Sequence, residues 1–345
     1  MSEASIRAAF VKQADWNRVL GAGFTAEVCA TLARILDRST ATGRRVLDWP
    51  GNPIADALAL RLAGGLNALV RAGDLPMLAT GYPPSPIPAG DLAGLLTAAL
   101  GDDRLLPWLD CAPQTNEVAR AGVLMPGLLA IAAATELPIR LFELGASAGL
   151  NLRLDHYGYR LGGVDFGPPN APVVLAPVWE GPPPPAAAIR VVERRGVDLA
   201  PVDVRTAADR DRLLAYVWPE QRERVARLEA AIAAFIADPV ALDAGDAAAW
   251  VEAEVAPLAG TASVVFHSIA WQYFLVATQA RIAAHLETQG TATTADAPLA
   301  WLRYEFDASG SVGAPPTLRL TLWPGGEDRL LAHAHPHGAS VRWLG

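Results

Sequence analysis

"RLFELGASAGLNLRLDHYGY", residues 140–159, admits two chemistries. Within it, Gly145-Ala146-Ser147-Ala148-Gly149 satisfies G-x-S-x-G, the pattern of a nucleophile elbow in which a serine sits on a strained strand-to-helix turn. The same residues read as E-x-G-x-x-x-G, a glycine turn leaving the first strand of a nucleotide-type Rossmann sheet, with Glu143 closing that strand. Ser147 is a nucleophile in the first reading. In the second it is a spacer in a loop that cradles a cofactor.

The surroundings weigh between them. After Pro138 the chain carries β-rich runs bounded by breakers: "IRLFEL" (139–144), "IRVVE" (189–193), "ASVVFHSIA" (262–270), "PLAWLRYEF" (298–306), "TLRLTLWP" (317–324) and "ASVRWL" (339–344). A helical pattern at 219–237, with Val225, Leu228, Ile232, Phe235 and Ile236 on one face, separates the second run from the third. Strands alternating with helices predict a parallel sheet, and Gly325-Gly326 predicts a terminal antiparallel hairpin. Before Pro138 apolar residues recur at helical spacing, as in Ala8, Val11 and Val19, then Val28, Leu32, Ile35 and Leu36, then Leu58, Leu62, Leu66, Leu69 and Val70. Proline-rich breaks at 80–91 and 110–117 divide this half, and Thr115 or Asn116 is placed to cap a helix running to about residue 136. A serine hydrolase needs several strands and an oxyanion loop ahead of its nucleophile. Only "RRVLDW" (44–49) offers a strand there, although Ser147, then Asp203 or Asp246, then His333, His335 or His337 fall in hydrolase order.

Composition narrows the partners. A chain of 345 residues, 52% hydrophobic and 19% charged, is long enough for one large or two modest cores. Its net charge of −8, with 28 scattered Lys and Arg, writes no surface for nucleic acid. Two cysteines, Cys29 and Cys111, make no disulfide framework and suit a reducing compartment. The first twenty residues lack an apolar leader, and no apolar run approaches the roughly 20 residues of a membrane span, so a cytoplasmic location without a membrane partner is expected.

The glycine segment resembles motif I of the class I S-adenosylmethionine-dependent methyltransferases. From about residue 110 onward the chain resembles an uncharacterised bacterial family of unknown function with such a core, on "PQTNEVAR" (113–120), "FELGASAGLNLRLDHYGY" (142–159), "RGVDLAPVDV" (195–204), "VVFHSIAWQYF" (264–274), "PLAWLRYE" (298–305) and "LTLWPGG" (320–326). The resemblance implies an α/β fold: a Rossmann-like methyltransferase sheet, mostly parallel with a terminal antiparallel hairpin, over residues 113–345. An N-terminal helical region, 1–112, precedes it, and an insertion at about 157–188 interrupts it. The implied cofactor is S-adenosylmethionine and the implied partner a small-molecule acceptor.

Carried over residue by residue, Glu143, Gly145 and Gly149 would line the methionine part of the cofactor, with Ser147 where many members have glycine, and Ala146, Ser147 and Asn151 would also border the cofactor. A carboxylate can accept from both hydroxyls of a ribose, a task for Asp198 or, alternatively, Glu193. Asp246 would face the adenine amino group, and His267 and Ser268 would border the cofactor. His267 and Tyr273 are the catalytic candidates, since an imidazole suits proton removal near neutral pH, and Asn116, Glu117, Trp271 and Tyr273 are the acceptor-pocket candidates. His267 reads equally well as a hydrogen-bonded core histidine. "HAHPHG" (333–338) has histidines at alternate positions, but Pro336 interrupts their face and no metal site is expected. A methyltransferase-like domain that only binds a ligand or protein is the alternative function, and a Ser147 hydrolase the third.

Overall fold

The computed structural model describes residues 2–84, 89–306 and 314–345, so the proline-rich break at 80–91 lies partly outside the described residues. The protein is an α/β protein with an N-terminal helical region and a large, mostly parallel sheet. It divides into two units, Met1–Thr115 with Thr206–Leu228, and Asn116–Arg205 with Glu229–Gly345. The first boundary lies three residues beyond the expected 112, and a segment expected in the sheet region joins the helices instead.

In the helical unit, Ile6, Phe10, Leu32, Leu62 and Leu66 are fully buried in one core. The helix Glu3–Val19 turns Ile6, Ala9, Phe10, Ala14 and Asn17 inward. Val11 and Val19, expected on its apolar face, are 48% and 74% exposed, because the i, i+4 line through Ile6, Phe10 and Ala14 excludes them. "RRVLDW" is not a strand: Thr40 caps a helix Ala41–Leu47 by accepting from Gly43 N at 3.0 Å. The segment 206–228 is tied in by side chains acting over long sequence separations. Asn67 Nδ2 donates to the carbonyls of Ala215 and Val217, and Glu220 accepts from Thr25 N and Oγ1, both at 2.9 Å.

Among the described residues the sheet unit contains twelve strands: β1 (Ile139–Leu144), β2 (Gly158–Leu161), β3 (Val164–Phe166), β4 (Val174–Leu175), β5 (Val178–Glu180), β6 (Val191–Asp198), β7 (Ala241–Ala244), β8 (Ala262–Ser268), β9 (Leu299–Glu305), β10 (Thr317–Trp323), β11 (Glu327–Ala334) and β12 (Ser340–Trp343). Nine form the main sheet in the order β5-β12-β11-β10-β9-β8-β1-β6-β7. From β7 to β9 neighbours are parallel. β1 and β8 are buried along almost their whole length because central parallel strands are covered on both faces. Chain order reverses at β1, with β6 and β7 on one side and β8 and β9 on the other, and at such a switch point the crevice beyond the strands' carboxyl ends is where open α/β sheets bind ligands.

Three expectations change in detail. The second strand runs past the β-rich "IRVVE" to Asp198, the acid first assigned to its end. The end of the sheet is a meander, since "EDRLLAHA" is itself β11, turned at Gly325-Gly326 against β10 and followed by β12. The insertion holds a β2–β3 hairpin with β4 beside it, and then places β5 parallel to β12 at the far edge. One helical stretch among the described residues, Val118–Thr135, is long and apolar enough by composition to cross a membrane, although no such run was expected. Its helix Ala121–Thr135, with Pro126 inside it, is mostly buried, and Leu302 of β9 packs at Gly127.

Candidate functional site

The carboxyl edge of the parallel strands gathers acids. Glu143 stands one residue before the end of β1, while Asp198 ends β6 and Glu305 ends β9. Asp246 follows β7 as the N-cap of the helix Ala247–Glu254. One cation, Arg120, comes from the 3₁₀ turn Val118–Arg120, donating to Ser268 O at 2.9 Å and Pro336 O at 3.1 Å. Burial pushes its guanidinium down, against the attraction of Glu117, Tyr304, Glu305 and Tyr273.

The turn after β1 is closed almost entirely by its own chain. Gly145 N and Ala146 N donate to Val197 O, and Gly149 N to Ala146 O. Ser147 N donates to Asp198 Oδ2 and Ala200 N to Asp198 Oδ1, each at 2.9 Å. Leu150 N donates to Asn116 Oδ1 at 2.9 Å, so Asn116 braces the turn instead of capping the following helix. Glu117 Oε1 accepts from Ala119 N at 3.1 Å, capping the 3₁₀ turn. Gly145, Ser147 and Gly149 all have positive φ, near 68°, 52° and 70°. The glycines were expected to leave room for a ligand. In the structure that room is occupied: a Cβ on Gly145 would lie 2.8 Å from Ala270 Cβ, and one on Gly149 would lie 2.9 Å from Leu242 Cδ2. Ala146 and Ala148 are fully buried beside them.

What the turn lacks is donors, not acceptors. Glu143 is 2% exposed and its Oε2 has no hydrogen-bond partner. Asn151, two residues past Gly149 and 1% exposed, donates through Nδ2 to Glu117 O at 3.4 Å and leaves Oδ1 unpartnered. Burial holds the Glu143 carboxyl well above the usual carboxylate range; Asp198 adds to the rise and Arg120 opposes it.

His267 is fully buried on β8 with both ring nitrogens engaged. Trp301 Nε1 donates to Nε2 at 3.2 Å, which makes Nε2 an acceptor and leaves Nδ1–H to donate to Glu305 Oε1 at 2.7 Å. Trp271 stacks on the ring at 4.8 Å. Glu305 Oε1 also accepts from Ala270 N and Trp271 N, at 3.0 and 3.2 Å, so the pair fixes the segment that follows β8. That segment begins with Ile269 at φ 49°, an uncommon conformation for a β-branched residue. Both ring nitrogens of His267 thus have partners within the protein, the geometry of a hydrogen-bonded core histidine. Ser268 contributes its carbonyl to Arg120, Trp271 is half-buried and Tyr273 is 75% exposed.

The edge thus brings together Glu143, Asp198, Asn116, Glu117 and Asn151 around the turn. Asp246 instead accepts from Ala249 N at 3.0 Å and from Thr278 Oγ1 at 3.3 Å. Glu193 lies five residues before the strand end, paired with Arg140 at 2.6 Å, which leaves Asp198 as the acid at the edge. Arg120 and Glu305 carry no motif, and sequence reasoning passed over both. An acid ending a β-rich run was the available signal for Glu305, and a cation heading an apolar helix the one for Arg120.

These features define an α/β protein with a mostly parallel sheet, whose carboxyl edge carries an acid-rich glycine turn at the switch point. The chain belongs to the family described as "Uncharacterized protein conserved in bacteria (DUF2332)", whose pattern matches residues 7–343. No curated protein and no solved structure matches it.

Proposed function

We propose that this protein binds S-adenosylmethionine at the carboxyl edge of β1, on a sheet of the class I methyltransferase type, and transfers a methyl group to a small-molecule acceptor. One observation carries the reading: the amides of Gly145, Ala146, Ser147, Gly149 and Leu150 already have acceptors within the protein, whereas Glu143 Oε2 and Asn151 Oδ1 have no donor. A phosphate-bearing dinucleotide needs free N–H groups at such a turn. A cofactor with an ammonium group and a sulfonium centre asks for acceptors and negative charge, which is what remains here.

Glu143 and Asn151 would accept hydrogen bonds from the cofactor's ammonium end. Asp198, with one internal bond on each oxygen, keeps lone pairs for a ribose diol. When bound, S-adenosylmethionine supplies a methyl group activated by its sulfonium sulfur. His267 holds Glu305, and through it the segment at Ala270 and Trp271, in place; the rate then comes from positioning and exclusion of water rather than from an imidazole base. Calorimetric titration with S-adenosylmethionine and S-adenosylhomocysteine is expected to show saturable heat and a raised melting temperature. Neither signal with ligand at about 1 mM, a concentration that reports even a weak complex, would refute the assignment.

A serine nucleophile is the second reading, favoured by the positive φ of Ser147, which strained elbows share. Against it, Ser147 is only 7% exposed, its amide is bound to Asp198, and His267 is committed elsewhere. A fluorophosphonate probe is expected to leave the protein unlabelled. Stoichiometric labelling that disappears in Ser147→Ala would replace the methyltransferase reading with a hydrolase.

A further inference from the structure

We propose that Glu143 carries a proton in the ligand-free protein and releases it when a cationic N–H donor of the ligand binds there, so that binding liberates close to one proton. The surroundings of the carboxyl lead to this. Its cross-strand neighbours in register are Gly196 and Phe266, which offer neither charge nor donor side chains. Asp198 ends the neighbouring strand β6 and disfavours a charge on Glu143, as Glu143 does on Tyr157. Among the described residues the cation that acts on it is Arg120, which is tied to two carbonyls and shared with Glu117 and Glu305. An ionised Glu143 would be a buried anion beside a second anion with an unpartnered oxygen, the arrangement that protonation relieves. A ligand cation relieves it equally well, and the proton then leaves.

The protonation is tested without ligand. A carboxyl raised on folding leaves stability intact below its unfolded value of about 4.3, and stability is lost as pH rises toward the folded value. Glu143→Gln, which cannot ionise, escapes that loss. Its melting temperature relative to wild type is expected to climb between about pH 4 and about pH 8, by several degrees. A flat difference overturns the proposal. Infrared spectra guard against a variant that folds poorly: wild type at neutral pH should show a buried carboxylic-acid carbonyl band, and its absence is equally fatal.

The release is tested by titrating S-adenosylmethionine in buffers of different ionisation enthalpy, an arm whose ligand rests on the cofactor reading. Wild type should release close to one proton and Glu143→Gln none. Binding without proton release overturns the coupling and leaves the cofactor standing. No binding, with the pH profile and the infrared band as expected, removes the cofactor and leaves the protonated carboxyl established.

Discussion

Replacing Glu305 by alanine is expected to cost roughly 3 to 5 kcal/mol of stability, because three donors lose one acceptor at once. His267 Nδ1, Ala270 N and Trp271 N all converge on Glu305 Oε1. The loss should appear as a lower denaturant midpoint and as loosening of the segment after β8, seen as faster amide exchange at Ala270 and Trp271. Glu305→Gln keeps an acceptor oxygen and should recover much of the stability. An alanine variant as stable as wild type would show that the His267–Glu305 pair holds nothing in place.

Asp198→Ala should produce the largest effect on ligand binding. It strips the acceptor from Ser147 N, at the centre of the turn, and from Ala200 N. Loss of these charge-assisted bonds and of the lone pairs left for a ribose should weaken S-adenosylmethionine roughly ten- to a hundredfold, equivalent to about 1.5 to 3 kcal/mol. Asp246→Ala removes a helix cap worth about 1 kcal/mol of stability and should change affinity less. Glu193→Ala breaks a pair with Arg140 away from the edge and should leave affinity near wild type. The ordering is checked by calorimetry on the three variants. Were Glu193→Ala the severe one, the ribose would belong to Glu193 and the edge would be misassigned.

Much of the sheet was legible in residues 139–345 because strand propensity and turn chemistry are local. "IRLFEL" and "ASVVFHS" each carry an apolar run, Leu141-Phe142 and Val264-Val265-Phe266, as strands covered on both faces do, and both are central. The acid ending β6 was legible as Asp198, although the β-rich run "IRVVE" stops at Glu193. The phase of the first helix was misjudged because valines at 11 and 19 look apolar wherever they point, whereas burial follows the line through Ile6, Phe10 and Ala14. The histidine on β8 was singled out for its chemistry, yet its role depends on Trp301 and Glu305, 34 and 38 residues further along the chain.

By itself, then, the sequence determined the central strands, the glycine turn and the acids Glu143 and Asp198 at the ends of β1 and β6, since each follows from the conformational preferences of neighbouring residues. Only the tertiary structure decided which polar groups are satisfied. The amides of Gly145, Ala146, Ser147 and Leu150 are taken by Val197, Asp198 and Asn116, the glycines' space by Ala270 and Leu242, and both nitrogens of His267 by residues from β9. Glu143 and Asn151 are left with acceptors and no donors. Hydrogen bonds of this kind join atoms dozens of residues apart and depend on distances of a few tenths of an ångström, a scale that residue order does not encode locally.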